Sequence, residues 1–218
     1  MKRFAPGAIK ALFACVVALA ALVPAARAST IFTLTQDGCT GNCGPQSGGF
    51  GTVTLEQVDS KTVSVDLNLF NGNEFVSTGN HDALTFNIGG GAVTLFGFDS
   101  DFSQDLPPVA NNSPYGPFSY GVSCTGCGSG ASDPVPPPLE FVASRTSGLS
   151  VADFVANGNG IFFASDILSG TTGKTGAVGA LGGHSSDQST VPEPATCGLI
   201  GLGLLVLGVV RKRTRQGS

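Results

Sequence analysis

The chain has 218 residues, of which 41% are hydrophobic, 12% are charged and 32 are glycine. This hydrophobic content excludes a wholly disordered chain. The net charge of −4 hides a segregation, because residues 29–190 hold 14 of the 15 acidic residues and three of the 11 basic ones, a net charge of −11. A segment this acidic lacks the basic footprint of nucleic-acid binding, so we expect no nucleic-acid partner.

Residues 1–28 have the three parts of a secretory signal peptide. Positive charges come first, and an apolar run of 13 residues follows at Ala11–Val23, too short to span a membrane easily. Ala26 and Ala28 then place small side chains at the −3 and −1 positions of a cleavage site before Ser29. We therefore predict export and removal of residues 1–28 by a signal peptidase. A retained N-terminal anchor is the alternative.

Residues 29–168 show the period-two alternation of apolar and polar side chains that is typical of β-strands. The pattern is clearest at 62–69, and a turn at 59–61 joins this segment to another strand at 52–57. Further strands are predicted at 84–88, 93–98, 139–143 and 161–167. Short strands separated by Gly-rich turns predict a mainly β ectodomain, an antiparallel β-sandwich or jelly roll.

Three segments depart from the strand pattern. A short helix is predicted after Ser150, which can cap it together with Asp153, and Asn157-Gly158 would end it. The proline-rich stretch 105–138 is predicted to be an extended surface loop. Residues 169–190 are rich in Gly and Ser and are predicted to be a flexible spacer.

The C-terminal segment has three parts in strict order. The motif Val191-Pro192-Glu193-Pro194 comes first, and the uncharged run Ala195–Val210 follows it. As a helix, this run of 16 residues is about 24 Å long, enough for a short transmembrane helix. A basic cluster then closes the chain, formed by Arg211, Lys212, Arg213 and Arg215. By the positive-inside rule this cluster stays cytoplasmic, which places the acidic domain across the membrane.

This arrangement at residues 191–215 resembles the PEP-CTERM sorting signal of Gram-negative bacteria. The resemblance implies recognition by exosortase, a membrane-embedded enzyme that cuts near Pro-Glu-Pro and releases or transfers the domain to the cell surface or matrix. It also implies an association with exopolysaccharide or biofilm. The prolines favour an extended and accessible segment, as a processing enzyme needs. A permanent anchor with an accidental Pro-Glu-Pro is the alternative.

Four cysteines lie between the two terminal segments, and an exported protein meets an oxidising compartment that favours disulfides. Three pairings are possible. We predict the local pairs Cys39–Cys43 and Cys124–Cys127, because each pair lies in a Gly-rich turn. A zinc site with four thiolates is the alternative.

Other candidate sites are weaker. Asp99, Asp101 and Asp105 could bind calcium, but they lack a regular calcium-loop pattern, so a solvated turn is favoured. His81-Asp82 could act as a base, but no Gly-x-Ser-x-Gly elbow accompanies it. We therefore expect no cofactor and no catalysis.

The sequence thus predicts a non-enzymatic exported surface or matrix protein. The alternative is a glycan-binding or glycan-cleaving module, which the absence of Trp weakens.

Overall fold

The computed structural model of the chain describes residues 29–105 and 110–181. The predicted signal peptide and the predicted sorting segment lie outside these residues. Within the described ranges, no helix has the length and apolar character needed to cross a membrane. The membrane helix predicted at Ala195–Val210 lies outside them.

The described residues form sixteen strands joined by turns and loops. In chain order they are β1 Ser29–Leu34, β2 Gln36–Cys39, β3 Gly51–Asp59, β4 Thr62–Leu69, β5 Glu74–Ser77, β6 Leu84–Ile88, β7 Thr94–Phe96, β8 Phe102–Asp105, β9 Ala110–Asn111, β10 Pro117–Phe118, β11 Tyr120–Cys124, β12 Gly130–Val135, β13 Leu139–Ser144, β14 Phe154–Val155, β15 Ile161–Leu168 and β16 Thr175–Leu181. The prediction of a mainly β, antiparallel fold is confirmed.

The first sheet has five strands in the order β1-β3-β4-β13-β7. Strands β3 and β4 form a hairpin around the predicted turn. Along β4, Val63, Val65 and Leu67 are buried, whereas the residues between them are partly exposed. The alternation in the sequence therefore corresponds to one face on the core and one face towards solvent.

The second sheet has nine strands and contains the path β12-β5-β15-β6-β11-β8. Strand β16 pairs with β15 on one side and with β2 on the other. The chain passes from the first sheet to the second between β1 and β2, where the Thr35 N–H donates to the Gly179 carbonyl at 2.9 Å.

Aromatic side chains from both sheets meet in one core. The ring centroid of Phe86 on β6 lies 5.7 Å from that of Phe141 on β13. Phe32 on β1 lies 5.0 Å from Phe163 on β15. Because each pair joins one strand from each sheet, the inner faces of the two sheets pack against each other. A smaller apolar cluster around Tyr115 and Phe118 lies apart from this core.

The predicted helix after Ser150 is wrong. Val151–Asp153 forms a single 3₁₀ turn, and the chain then extends into β14, which pairs with β6. The Ser150 N–H does donate to the Asp153 carboxylate at 2.8 Å. That carboxylate also receives the Arg145 guanidinium at 2.7 Å. The tertiary ion pair and the strand pairing outweigh the local preference for a short helix.

The predicted loop at 105–138 is wrong in part, because β11 and β12 within it belong to the second sheet. Because prolines favour loops, the many prolines of this stretch led to a loop prediction, and these strands were missed. Pro134 lies on β12, which is an edge strand, and proline is tolerated there.

The predicted spacer at 169–190 is wrong over its first part, because residues 175–181 form β16 between two other strands. The glycines of β16 allow close packing. A Cβ atom at Gly176 would lie 2.6 Å from the Cα of Cys39, and one at Gly179 would lie 3.1 Å from the Tyr115 ring. The small residues of β16 therefore allow close packing against neighbouring strands, and they do not mark a flexible segment. The rest of the predicted spacer, 182–190, lies outside the described residues.

Candidate functional site

Both predicted cysteine pairs are disulfides in the structure, Cys39–Cys43 and Cys124–Cys127. Each closes a tight loop. The carboxylate of Asp37 accepts hydrogen bonds from the backbone N–H groups of Cys39 and Cys43, at 3.0 and 2.9 Å. The four sulfurs are thus bonded in pairs, and the alternative of a four-thiolate zinc site is not realised.

Among the described residues, the calcium candidates Asp99, Asp101 and Asp105 are not gathered into a close group of potential metal ligands. Asp101 and Asp105 are separated by the extended strand β8, which at about 3.3 Å per residue places them roughly 13 Å apart along the chain. In the described part of the chain, the one close group of three potential metal ligands is Asp37 with Cys39 and Cys43. The sulfurs of that group are oxidised, so it is not a metal site either.

A polar cleft of about 400 Å³ lies where the loop before β6 meets β2 and the start of β16. Its hydroxyl groups come from Thr40, Thr78, Ser113 and Thr175, and His81 lies among them. These residues are far apart in the sequence. Only the pairing of β16 with β2 brings Thr40 and Thr175 to the same place. Sequence reasoning singled out His81 and missed the others, because no local pattern marks them.

The partner of His81 is Asp166 of β15 and not its sequence neighbour Asp82. The His81 Nδ1 lies 3.5 Å from a carboxylate oxygen of Asp166, whose side chain is fully buried. The Thr78 N–H and hydroxyl both donate to that carboxylate, at distances of 2.7–2.8 Å. Burial raises the pKa of Asp166, and the hydrogen bonds from Thr78 oppose this rise.

Asp82 belongs to a second network beside the first. Its carboxylate accepts a hydrogen bond from the Ser123 hydroxyl at 2.9 Å, and its backbone exchanges hydrogen bonds with the buried Asn112 side chain. Burial raises the pKa of Asp82 to about 6. The Ser123 hydrogen bond opposes the rise, and the nearby carboxylates of Asp105 and Asp166 add to it.

The buried acids beside the cleft can change their charge near pH 6, through Asp82. The cleft itself can offer its Thr and Ser hydroxyl groups to a polar ligand. The two buried carboxylates, however, are held by donors of the protein itself, Thr78 and Ser123. These hydrogen bonds join the segment 78–82 to β15 and to β11, and His81 of the same segment lies on the cleft wall.

Comparison with known protein families identifies a signal in a different region of the chain, C-terminal to the described residues. Residues 190–213 match the PEP-CTERM protein-sorting motif. The chain carries a PEP-CTERM sorting signal. This signal implies that the protein is exported in a Gram-negative bacterium and that exosortase is its processing partner. No curated protein and no solved structure matches the chain.

Proposed function

We propose that this PEP-CTERM protein is a non-enzymatic surface or matrix protein, which exosortase processes at its C-terminal signal and which contributes to an exopolysaccharide or biofilm layer. The single observation that carries the proposal is the sorting motif at residues 190–213. The two sheets with their shared aromatic core support the predicted β-sandwich ectodomain.

The described residues support an exported, non-catalytic domain in two further ways. Two disulfides suit an oxidising compartment outside the cytoplasm. The buried acids of the cleft region also have structural partners, since Asp166 anchors Thr78 and Asp82 anchors Ser123. Both carboxylates thus accept hydrogen bonds that hold separate segments of the fold together, a structural role that fits the proposal.

The sequence supports a mechanism for the processing step. Before processing, the run Ala195–Val210 would hold the chain in the inner membrane, and the basic cluster after it would stay in the cytoplasm. The prolines at 192 and 194 disfavour a helix and favour an extended stretch at the membrane surface. Glu193 supplies one negative charge that a basic pocket of the enzyme could recognise.

The experiment follows the protein in its host with exosortase present and absent. We expect the protein in the surface fraction when exosortase is present, and retained in the inner membrane when it is absent. Glu193→Gln should reduce the surface fraction, and Asp187→Asn is the matched control, since it removes a carboxylate six residues before Glu193 and leaves the motif intact. Equal surface display without exosortase would overturn the proposal.

A hydrolysis screen on purified full-length chain tests the non-enzymatic part separately. We expect no turnover of polysaccharide substrates. Turnover that is lost in His81→Ala would show that the cleft is catalytic and would contradict this part of the proposal.

A further inference from the structure

The polar cleft beside His81 contains three hydroxyl groups that the fold does not use. They belong to Thr40, Ser113 and Thr175, and none of them makes a hydrogen bond to another described residue. Thr78 differs, because its hydroxyl donates to the Asp166 carboxylate. Three distant segments of the chain thus bring free hydroxyl groups to one cavity of about 400 Å³, a volume within the range of small-molecule sites.

His81 presents one edge of its imidazole ring to the same cleft. Its Nδ1 is buried and lies 3.5 Å from the Asp166 carboxylate. The side chain is 20% exposed, so the exposed edge is the one that carries Nε2, which has no hydrogen-bond partner among the described residues. Because a proton on Nδ1 suits the carboxylate behind the ring, Nε2 of the neutral imidazole is left as an acceptor for a ligand.

A buried hydroxyl without a partner lies at the Gly38 end of the cleft. Tyr115 is 9% exposed, and its hydroxyl makes no hydrogen bond within the described structure. This oxygen lies 3.0 Å from the position that a Cβ atom on Gly38 would occupy, and both Gly38 and Pro114 line the cleft. Buried polar groups are normally paired, and an orphaned one calls for a water or a ligand that completes the pairing. The Tyr115 hydroxyl therefore indicates, independently of the cleft wall, that a polar group from outside the chain is bound here.

The chemistry of the lining determines which ligand the cleft suits. None of the lining residues is Lys, Arg, Asp or Glu, so a charged ligand would lose hydration without gaining a counter-charge. The Asp166 carboxylate behind His81 is already occupied by the N–H and hydroxyl of Thr78. Free hydroxyl groups both donate and accept hydrogen bonds, as the hydroxyls of a sugar do. Pro114 adds an apolar surface for the C–H groups of a sugar ring.

We propose that this cleft binds a neutral sugar residue, whose hydroxyl groups bond to His81 Nε2 and to the three free hydroxyl groups of the wall. This inference rests on the proposed role in an exopolysaccharide layer, and it names the class of sugar that the protein recognises. It is tested on purified protein, so a failure of sugar binding and a failure of exosortase processing are separate outcomes.

The test follows the imidazole NMR signals of the full chain, purified in a detergent without a sugar headgroup, while the methyl glycosides of glucose, galactose and mannose are added. The chain has two histidines, His81 in the cleft and His184 outside the described residues, so each titration contains its own control. We expect at least one glycoside to shift the His81 signals saturably, with a Kd on the order of 1 mM, and to leave the His184 signals unchanged. No saturable shift with any of the three would mean that the cleft holds water alone. That result, or equal shifts of both histidines, would overturn the proposal.

Charged derivatives of the same ring test the chemical class of the ligand. The uronic acid of the glycoside that binds adds a negative charge, and its 2-amino derivative adds a positive charge. We expect each derivative to bind at least about fivefold more weakly than the neutral glycoside, because the lining offers no counter-charge. Tighter binding of either derivative would show that the cleft selects a charged sugar and would contradict the proposal.

Two pairs of single substitutions locate the site. Thr175→Val removes a cleft hydroxyl but keeps a β-branched side chain, and it should weaken sugar binding about fivefold. Thr54→Val is its control, because Thr54 is a partly exposed strand threonine of the first sheet, outside the cleft. Ser113→Ala should weaken binding about threefold, with the exposed Ser119→Ala as its control. All four positions are exposed or partly exposed, so the unfolding midpoints should stay close to that of the unmodified chain. Equal affinities of a cleft variant and its control would show that the sugar binds elsewhere, and the proposed site would be wrong.

Discussion

The two sheets are assembled in different ways. The β3–β4 pair of the first sheet is a hairpin closed by a two-residue connection. The second sheet pairs segments that are distant in the chain, such as β16 with β2, where Gly176 lies opposite Cys39. Local pairings follow from turn chemistry and alternation, whereas distant pairings depend on which surfaces fit together. The polar cleft and the buried acids Asp82 and Asp166 depend on pairings between distant segments of the chain.

The largest expected effect is the loss of stability caused by a substitution in the core between the two sheets. Phe86 is fully buried, and its ring lies within 6.2 Å of the rings of Tyr120, Phe141, Phe154 and Phe163. Phe86→Ala should lower the free energy of unfolding by about 4 kcal/mol, through lost burial and a cavity. Urea unfolding measures this change. A loss below about 1 kcal/mol would show that the two sheets do not share the core described above.

The second expected effect concerns the distant pairing of β16 with β2. Gly176 has a φ of +148°, and a Cβ there would press on the Cys39 backbone. Gly176→Ala should therefore cost about 3 kcal/mol. Gly158→Ala is the matched control, because a Cβ at Gly158 meets nothing within 4 Å and its φ is not positive. Equal unfolding midpoints for the two variants would contradict the pairing of β16 with β2. They would mean that residues 175–181 are a spacer outside the sheet.

The third effect is a pH dependence that comes from the second sheet. The pKa of Asp82 is raised from 3.8 to about 6 in the fold, so the folded state binds this proton more tightly than the unfolded state. The resulting stabilisation is complete below pH 4 and is lost as the pH rises through 6. We expect unfolding at pH 7.5 to require about 2 kcal/mol less than at pH 4.5 from this group.

Asp166 should act with the same sign, because burial also raises its pKa. Asp82→Asn should flatten the part of the profile near pH 6 and leave the part due to Asp166. Urea unfolding at several pH values measures both. A profile that rises between pH 4.5 and 7.5 would contradict the assignment.

The smallest effect is expected at the disulfide that ends β11. The Cys124–Cys127 pair spans a sequence separation of three. Such a short loop removes little chain entropy from the unfolded state, so Cys124→Ser with Cys127→Ser should cost less than about 2 kcal/mol. The local effect should be clearer. Hydrogen exchange should become faster at the amides of Thr125 and Gly126, which donate to the Asp101 carbonyl. Unchanged exchange there would show that the bridge does not hold this turn.

The sequence predicted the fold best where the signal was local. The alternation at 62–69 and the turn at 59–61 predicted the β3–β4 hairpin, and the Gly-rich turns predicted both cysteine pairs that the structure contains. It failed at β16, because Gly and Ala are poor strand formers and the segment 175–181 is a strand only through its contacts.

The candidate site shows the same division. His81 was noticed for its chemistry, but its partner Asp166 lies 85 residues away in the chain and no spacing rule joins them.

The most direct test of the central claim is the intact mass of the protein recovered from the surface of its host. The account predicts a chain that begins at Ser29 and ends close to Pro194, without the apolar run and the basic cluster. A surface protein whose mass includes residues 195–218 would contradict the claim that exosortase processes this chain.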